Sequence, residues 1–461
     1  MRTIVPLFFF CLLSFTVQAQ EVLTAEELKE DFDQFKSALL KRNKGLYLFV
    51  SEQEFETHLD SLEQTLHEEK TQIEFLRILS EAIVPIGERH LSIQGVHKKS
   101  DLYKKINSKE DDAQPFLPIY TYFENDSTAF ILRNAQRDST IQLPSRLLAI
   151  NDRKIEEIRD EISQYITQDN GVNSWMNWEI SRTLPLKYFY HIDTTSTFKL
   201  TWLDSLGTTQ VDTLKGLSRK AYRDSITQQS KQIFDVEEFE PSLRFEHYDS
   251  LKTGYLKIGT FSENKQKFDD EVVKLKRTVK TFFNEVDERE YENVIIDLRN
   301  NTGGSVNLLL YLYSFIQPNE DKQAIFSQIR DRRLWFGEVL RERKSDKQRN
   351  PHFDGQVYVL TNGGSYSASV MFSVMAKRFV GAKIVGETAG GRPSGTSAGS
   401  FHIERLKHSD ILVRIPETVF TYTDEVEFSL LPDIYVKPKL EDFFIYESDH
   451  QLAVLLKLID Q

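Results

Sequence analysis

The chain has 461 residues, of which 40% are hydrophobic, with 58 Lys and Arg against 70 Asp and Glu and a net charge of −12. That length favours more than one domain, each with a sizeable core. An acidic balance without a basic stripe to neutralise phosphates argues against a nucleic-acid partner.

The first residues, MRTIVPLFFFCLLSFTVQAQ, carry one cation (Arg2), an apolar run from Ile4 to Val17, and Val17-Gln18-Ala19. This is the pattern of a signal peptide over 1–19, and it predicts an exported protein, periplasmic or secreted. The run is short for a spanning helix and no later segment is longer, so stable membrane insertion is not expected. Cys11 is the only cysteine, and Phe8-Phe9-Phe10 before it lacks the small residue of a lipid-modified site. A mature chain without cysteine has no disulfides, thiol catalysis or cysteine-based metal site. The ten histidines are scattered and form no HExxH, so no metal is expected.

Residues 20–100 read as a helical N-terminal domain. Capping boxes pair Thr24 with Glu27, Ser51 with Glu54 and Thr71 with Glu74. Leu28, Phe32, Phe35 and Leu39 follow helical spacing, as do Phe55, Leu59, Leu62 and Leu66. Pro85 and Gly87 end the period at VPIGERHLSI. Residues 113–217 turn to strand patterns (AFILRN, RLLAIND, TFKLTWL) around a helical face of Ile155, Ile158 and Ile162. Within them LPSRLLAINDRKIEEI resembles the core of a PDZ domain, with Asp152 where that fold usually has glycine. Residues 218–245 are polar without a clear period and read as a connector. From 246 to 440 strands and helices alternate: TGYLKIGTF, a helix marked by Phe268, Val272, Leu275, Val279 and Phe282, then YENVIIDLRN, VNLLLYLYSFI, GQVYVLTN and AKIVGET. This order predicts a layered α/β core on a largely parallel sheet, with residues 441–461 as a C-terminal helix.

Two glycine-rich corners lie where strands meet helices, the usual place for sites in such sheets. In IIDLRNNTGGS, Gly303-Gly304 either makes a plain tight turn or aims bare N–H groups into a cavity. In TNGGSYSAS, Ser365, Ser367 and Ser369 follow Gly363-Gly364. A serine there either caps the helix or, beside its unpaired N–H groups, acts as a nucleophile.

GYLKIGTF, VIIDLRNNTGG, VYVLTNGGSYSAS and IVGETAGGRPSG stand in the order and spacing of the C-terminal processing and tricorn-like serine peptidases. The resemblance covers roughly residues 250–440. It implies a spiral ββα core of the crotonase/ClpP-like kind, with Ser367 as nucleophile. It also implies an oxyanion hole made by the amide of Ala368 and a glycine of the other corner, Gly303 or Gly304. One departure bears on mechanism. The lysine base of the processing branch would fall at position 392, which is Arg392, and a guanidinium cannot give up its proton in a protein. The tricorn-like branch uses a histidine after a helical region, and GERHLSI places His90 there. For the acid behind the histidine, the family's position before PDI points to Glu427, with Glu425 close behind. Glu88 is the weaker choice, since on an extended segment it would miss the far ring nitrogen. Arg392 is left to bind a substrate carboxylate or to fix its loop. The implied protein is an exported serine endopeptidase acting on polypeptides without a cofactor. The alternatives are an inactive peptide- or hydrophobic-ligand-binding protein on the same scaffold and, less favoured, an acyl-CoA enzyme sharing the spiral.

Overall fold

A computed structural model describes residues 22–108, 113–136, 140–169, 172–234, 243–261, 268–318, 324–331, 339–340, 343–422, 430–445 and 448–461. The signal-peptide segment therefore lies outside the described residues, as do Glu425 and Glu427.

Three helices open the described chain: α1 (Ala25–Arg42), α2 (Glu52–Glu63) and α3 (Gln72–Ile83). Each starts at its capping box, where the Thr or Ser hydroxyl accepts the N3 amide and the N3 glutamate accepts the cap's own N–H. Their apolar stripes, including Leu28, Phe32, Phe35, Phe55 and Leu79, close on one another. They also close on Leu406, Ile411, Val413 and Ile415 from far along the chain. The buried Asp31 carboxylate accepts the amides of His408 (2.9 Å) and Ser409 (2.7 Å), tying α1 to the same region. Strand β1 (Ser92–Val96) then leaves the helices.

The next segment is an antiparallel sheet of β2 (Ile119–Phe123), β3 (Ala129–Asn134), β4 (Ser145–Ile150), β5 (Thr197–Leu203) and β6 (Thr209–Lys215). Its path runs β6-β5-β4-β3-β2. Helices α4 (Ile155–Ser163) and α5 (Ser174–His191) cover one face, burying Ile155, Ile158, Ile162, Met176, Ile180 and Leu184. The polar stretch expected to be a connector is instead helix α6 (Arg219–Phe234). It shows no apolar period because polar groups dock it. Tyr222 Oη donates to Ile119 O, Ser225 Oγ to Ala135 O at 2.9 Å, and Gln229 Nε2 to Asn134 O at 2.6 Å.

The remaining core is β7 (Leu243–Tyr248), β8 (Thr253–Ile258), α7 (Phe268–Glu288), β9 (Asn293–Asp297), α8 (Val306–Tyr313), β10 (Ala324–Asp331), β11 (Gln356–Thr361), α9 (Ala368–Met375), β12 (Lys383–Gly386), β13 (Gly395–Arg405), β14 (Ile411–Tyr422), β15 (Ile434–Tyr435) and α10 (His450–Ile459). The main sheet runs β7-β8-β9-β11-β12-β15, parallel everywhere except the antiparallel β7–β8 edge. The central strands read as continuous apolar runs because both faces are covered. Val294, Ile296, Val357 and Val359 pack under α7, α8 and α9, while Ile295 and Leu360 face α10. A second, antiparallel sheet joins β10, β14 and β13, and β1 pairs with β14 through Val96–Ile411 and Ser92–Arg414. That pairing delivers the turn before β1 to the two glycine-rich corners.

At the end of β9, Asp297 and Arg299 form a buried pair. The guanidinium bridges Asp297 Oδ2 and Asp449 Oδ2, each at 2.6 Å, and Asp449 caps α10. Burial pushes the Asp297 carboxyl up, but the Arg299 charge outweighs it and holds the group below the usual carboxylate range. Arg299→Ala would strand two carboxylates at the strand end. A loss of about 3–5 kcal/mol is expected, measurable as the denaturant midpoint. An unchanged midpoint would show that the bridge carries no net stability.

Candidate active site

The two glycine corners cross each other, and the crossing sorts the three serines. Ser365 Oγ donates to Leu298 O (2.8 Å) and accepts Asn362 N–H (3.0 Å). Ser369 Oγ donates to Asn301 O at 2.8 Å. Both hydroxyls are spent joining the corners. Ser367 Oγ instead faces His90 Nε2 at 3.2 Å.

Ser367 sits at the mouth of α9 with φ +55° and ψ −118°, and its side chain makes no cap hydrogen bond. A non-glycine residue holds such a backbone at a cost of roughly 1–3 kcal/mol. The neighbours over-determine it: Tyr366 N–H donates to Asn301 O (3.0 Å) and Met371 N–H to Ser367 O (3.0 Å). Ala368 is the first residue of α9, so its N–H has no partner within the helix and stands at the positive end of the dipole.

Gly303 lies against this turn with φ +99°. A Cβ there would fall 2.7 Å from Ser367 Cβ and 2.9 Å from Ala368 N, so only glycine lets the corners meet. Its own N–H donates to Asn301 Oδ1 at 2.9 Å, whereas Gly304 is exposed. Gly363 and Gly364 have a different duty. Cβ atoms at these positions would strike Ser174 O (2.3 Å) and the Trp178 ring (2.4 Å), because the start of α5 docks on them.

His90 comes from the turn after α3, where Leu91 N–H donates to Glu88 O at 3.2 Å. The segment is therefore curled, and the expectation that Glu88 would miss the far nitrogen fails. Glu88 Oε1 lies 3.0 Å from His90 Nδ1, and Oε2 accepts Ser397 N–H at 2.7 Å. Burial pushes the Glu88 carboxyl up, but the hydrogen bond and charge of His90, with the amides of Ser397 and His90, outweigh it. The group is held below the usual range. A carboxylate at Nδ1 places the ring proton there and leaves Nε2 to accept from Ser367 Oγ.

Two further oxygens stand 3.0 Å from Nδ1, Tyr366 Oη and Thr396 Oγ1. Neither was read from the sequence as part of a site. The ring is flanked by Tyr366 on one side (centroids 4.8 Å) and Phe401 on another (6.1 Å).

Arg392 is 3% exposed. Its Nη2 donates to Gly87 O at 2.6 Å, its guanidinium lies 3.3 Å from the Phe49 ring centroid, and its N–H donates to Asp169 Oδ2 at 2.8 Å. Of the two roles expected for it, fixing the loop is the one the geometry supports. A buried head engaged with Gly87 is poorly placed to meet a substrate carboxylate. A cavity of about 10 Å³ lies beside Ser367, walled by Val370, Met371, Thr396 and Phe420. Among the described residues no cluster of His, Cys, Asp and Glu could hold a metal ion, and no helix is long and apolar enough to cross a membrane.

No curated protein sequence matches the chain. Residues 252–423, which hold both glycine corners and Ser367, match the profile of peptidase family S41. The chain carries a family S41 peptidase domain. It is thus a serine-type peptidase, a hydrolase, with the mixed α/β architecture of that family. The fold likeness extends beyond the S41 domain. Mature CPAF is 16% identical over 95% of this chain and 98% of its own, with a TM-score of 0.67. CPAF complexed with lactacystin gives 15%, 95%, 99% and 0.66. The photosystem II D1 C-terminal processing protease gives 12%, 90%, 94% and 0.44. The N-terminal helices, the antiparallel sheet and the S41 domain therefore recur together in CPAF.

Proposed function

We propose that the protein is an exported S41 endopeptidase that cleaves polypeptides by a Ser367–His90–Glu88 triad. The observation that carries this reading is the continuous path Glu88 Oε1–His90 Nδ1 (3.0 Å) and His90 Nε2–Ser367 Oγ (3.2 Å) at a strained strand-to-helix turn. Ser367 Oγ attacks the scissile carbonyl carbon while His90 Nε2 takes its proton. Glu88 holds the Nδ1 proton and stabilises the imidazolium. The carbonyl oxygen becomes an oxyanion, held by the amides of Ala368 and Gly304, with Gly303 allowing the close approach. His90 then gives its proton to the leaving amine as the C–N bond breaks. Water, deprotonated by His90, releases the acyl group.

We further read the core as a crotonase/ClpP-like spiral and residues 113–217 as PDZ-like. The sheet β6-β5-β4-β3-β2 with its two helices suits the PDZ-like reading. Such domains capture chain ends by adding a strand to a sheet edge and holding the carboxylate in backbone amides. Free-acid peptides should then bind more tightly than their C-terminal amides in a calorimetric titration, and equal affinities would remove that role.

The test of the activity is to incubate the protein with an unstructured polypeptide and map the fragments by mass spectrometry. Internal cleavage that stops after treatment with a fluorophosphonate supports the reading. No cleavage and no modification would refute it.

A further inference from the structure

Asp169 is a buried carboxylate that the triad chemistry leaves unused. It stands in the connection between α4 and α5, about 80 residues from His90 and 200 from Ser367 in sequence, yet it touches the neighbours of both. Its Oδ1 accepts Arg89 N–H at 3.1 Å, and its Oδ2 accepts Arg392 N–H at 2.8 Å. Tyr366 Oη, next in sequence to the nucleophile, donates to Oδ1 at 3.3 Å and lies 3.0 Å from His90 Nδ1. Tyr366 is 1% exposed and clamped. The Arg89 guanidinium lies 4.1 Å from its ring centroid and 3.0 Å from that of Trp175.

We propose that Tyr366 and Asp169 are positioning residues, a second arm on the Nδ1 side of His90 that steadies the imidazole and favours its protonated state during turnover. The phenol spends its proton on Asp169 and so turns its lone pairs toward the ring N–H. With Asp169 ionised, the phenolic oxygen becomes a better acceptor and adds to what Glu88 supplies. The charged and titratable groups around this arm are Glu88, Arg89 and His90 from the turn after α3, Tyr366 from the nucleophile turn, Arg392 from the loop before β13, and Arg414 from β14. Arg414 Nη1 lies 3.5 Å from His90 O. Burial and the nearby Glu88 charge push the Asp169 carboxyl up, against the pull of Arg392. The arm therefore weakens in acid earlier than an ordinary aspartate would allow.

This inference rests on the peptidase reading, and the parental protein separates the two. If the parent neither cleaves nor reacts with a fluorophosphonate, the activity itself is wrong and the arm has nothing to support. With an active parent, Tyr366→Phe keeps the ring packing and removes only the hydroxyl. We expect kcat to fall about 10-fold, the scale of one hydrogen bond to a charged group, with KM unchanged. The acid limb of kcat/KM should move to lower pH by about half a unit, because the imidazolium has lost a stabilising oxygen. Asp169→Asn should move the limb the same way, and the double variant should be no worse than the worse single one. If Asp169→Asn fails to fold, since two backbone amides need its oxygens, Tyr366→Phe decides alone, with its melting temperature as the check on folding. A fall in kcat with an unmoved acid limb would reduce Tyr366 to packing and overturn the proposal. Parental kinetics at every pH would do so as well.

Discussion

Ser367→Ala is expected to lower kcat by on the order of a millionfold while the protein stays folded, as loss of a triad nucleophile does elsewhere. His90→Ala should cost a similar amount, because the two residues act as one unit and their effects do not add. The remaining serines give a sharp contrast. Ser365→Ala and Ser369→Ala each remove a hydroxyl that joins the two glycine corners. They should lose about 1 kcal/mol of stability and still react with a fluorophosphonate. Steady-state kinetics on a quenched peptide, with circular dichroism as the folding control, distinguishes these outcomes. If Ser365→Ala lost activity as fully as Ser367→Ala, the assignment of the nucleophile would be wrong.

The second large effect belongs to Glu88. In Glu88→Gln the amide nitrogen can donate to Nδ1, which drives the ring proton to Nε2 and leaves no lone pair for Ser367. A loss of about 10⁴-fold in kcat is expected, the scale seen when a triad carboxylate becomes an amide. The same substitution has a stability signature. The Glu88 carboxyl is held below its ordinary range in the folded protein. Its charge therefore stabilises the fold above the unfolded glutamate value of about 4.3, and that contribution is lost as the pH falls further. Melting temperatures should show the variant below the parent at neutral pH and converging with it in acid. A constant gap across pH would mean that the Glu88 charge has no part in stability.

Much of this site was legible because strand-to-helix corners announce themselves by composition. Gly303-Gly304 and Gly363-Gly364 follow apolar strands, and the family resemblance singled out Ser367 from its two neighbours. The structure supplies the physical reason: Ser365 and Ser369 are tied to carbonyls of the facing corner. His90 is readable from two signals together, an arginine at position 392 where the processing branch has lysine and a histidine after the N-terminal helices in GERHLSI. Glu88 is hard to read because GERHL has the composition of an extended segment, and the turn that curls its carboxylate onto Nδ1 has no composition signal. Tyr366 and Asp169 were out of reach. Each is an ordinary residue in its own segment, and the contact that gives it meaning spans 197 positions.

Helix α5 escaped for a different reason. It carries Pro185 inside and has Trp175, Met176, Ile180, Leu184 and Tyr188 buried beside half-buried polar residues, so no clean helical period survives. Proline in a helix also removes a backbone donor. Yet α5 sets the site's floor. Ser174 Oγ donates to Ala389 O at 3.2 Å and Trp178 Nε1 to Asn300 Oδ1 at 2.7 Å. The capping boxes of α1, α2 and α3, by contrast, are local chemistry and were read directly. Polar docking hid α6, since a helix held by Tyr222, Ser225 and Gln229 leaves no apolar stripe to find.

The most direct test of the Ser367–His90–Glu88 assignment is to react the protein with a fluorophosphonate and locate the phosphonylated residue by peptide mass spectrometry. The assignment predicts one modified residue, Ser367, formed at a rate that rises as an imidazole loses its proton and that collapses in His90→Ala. Modification of any other serine, or an equal rate in His90→Ala, would contradict it.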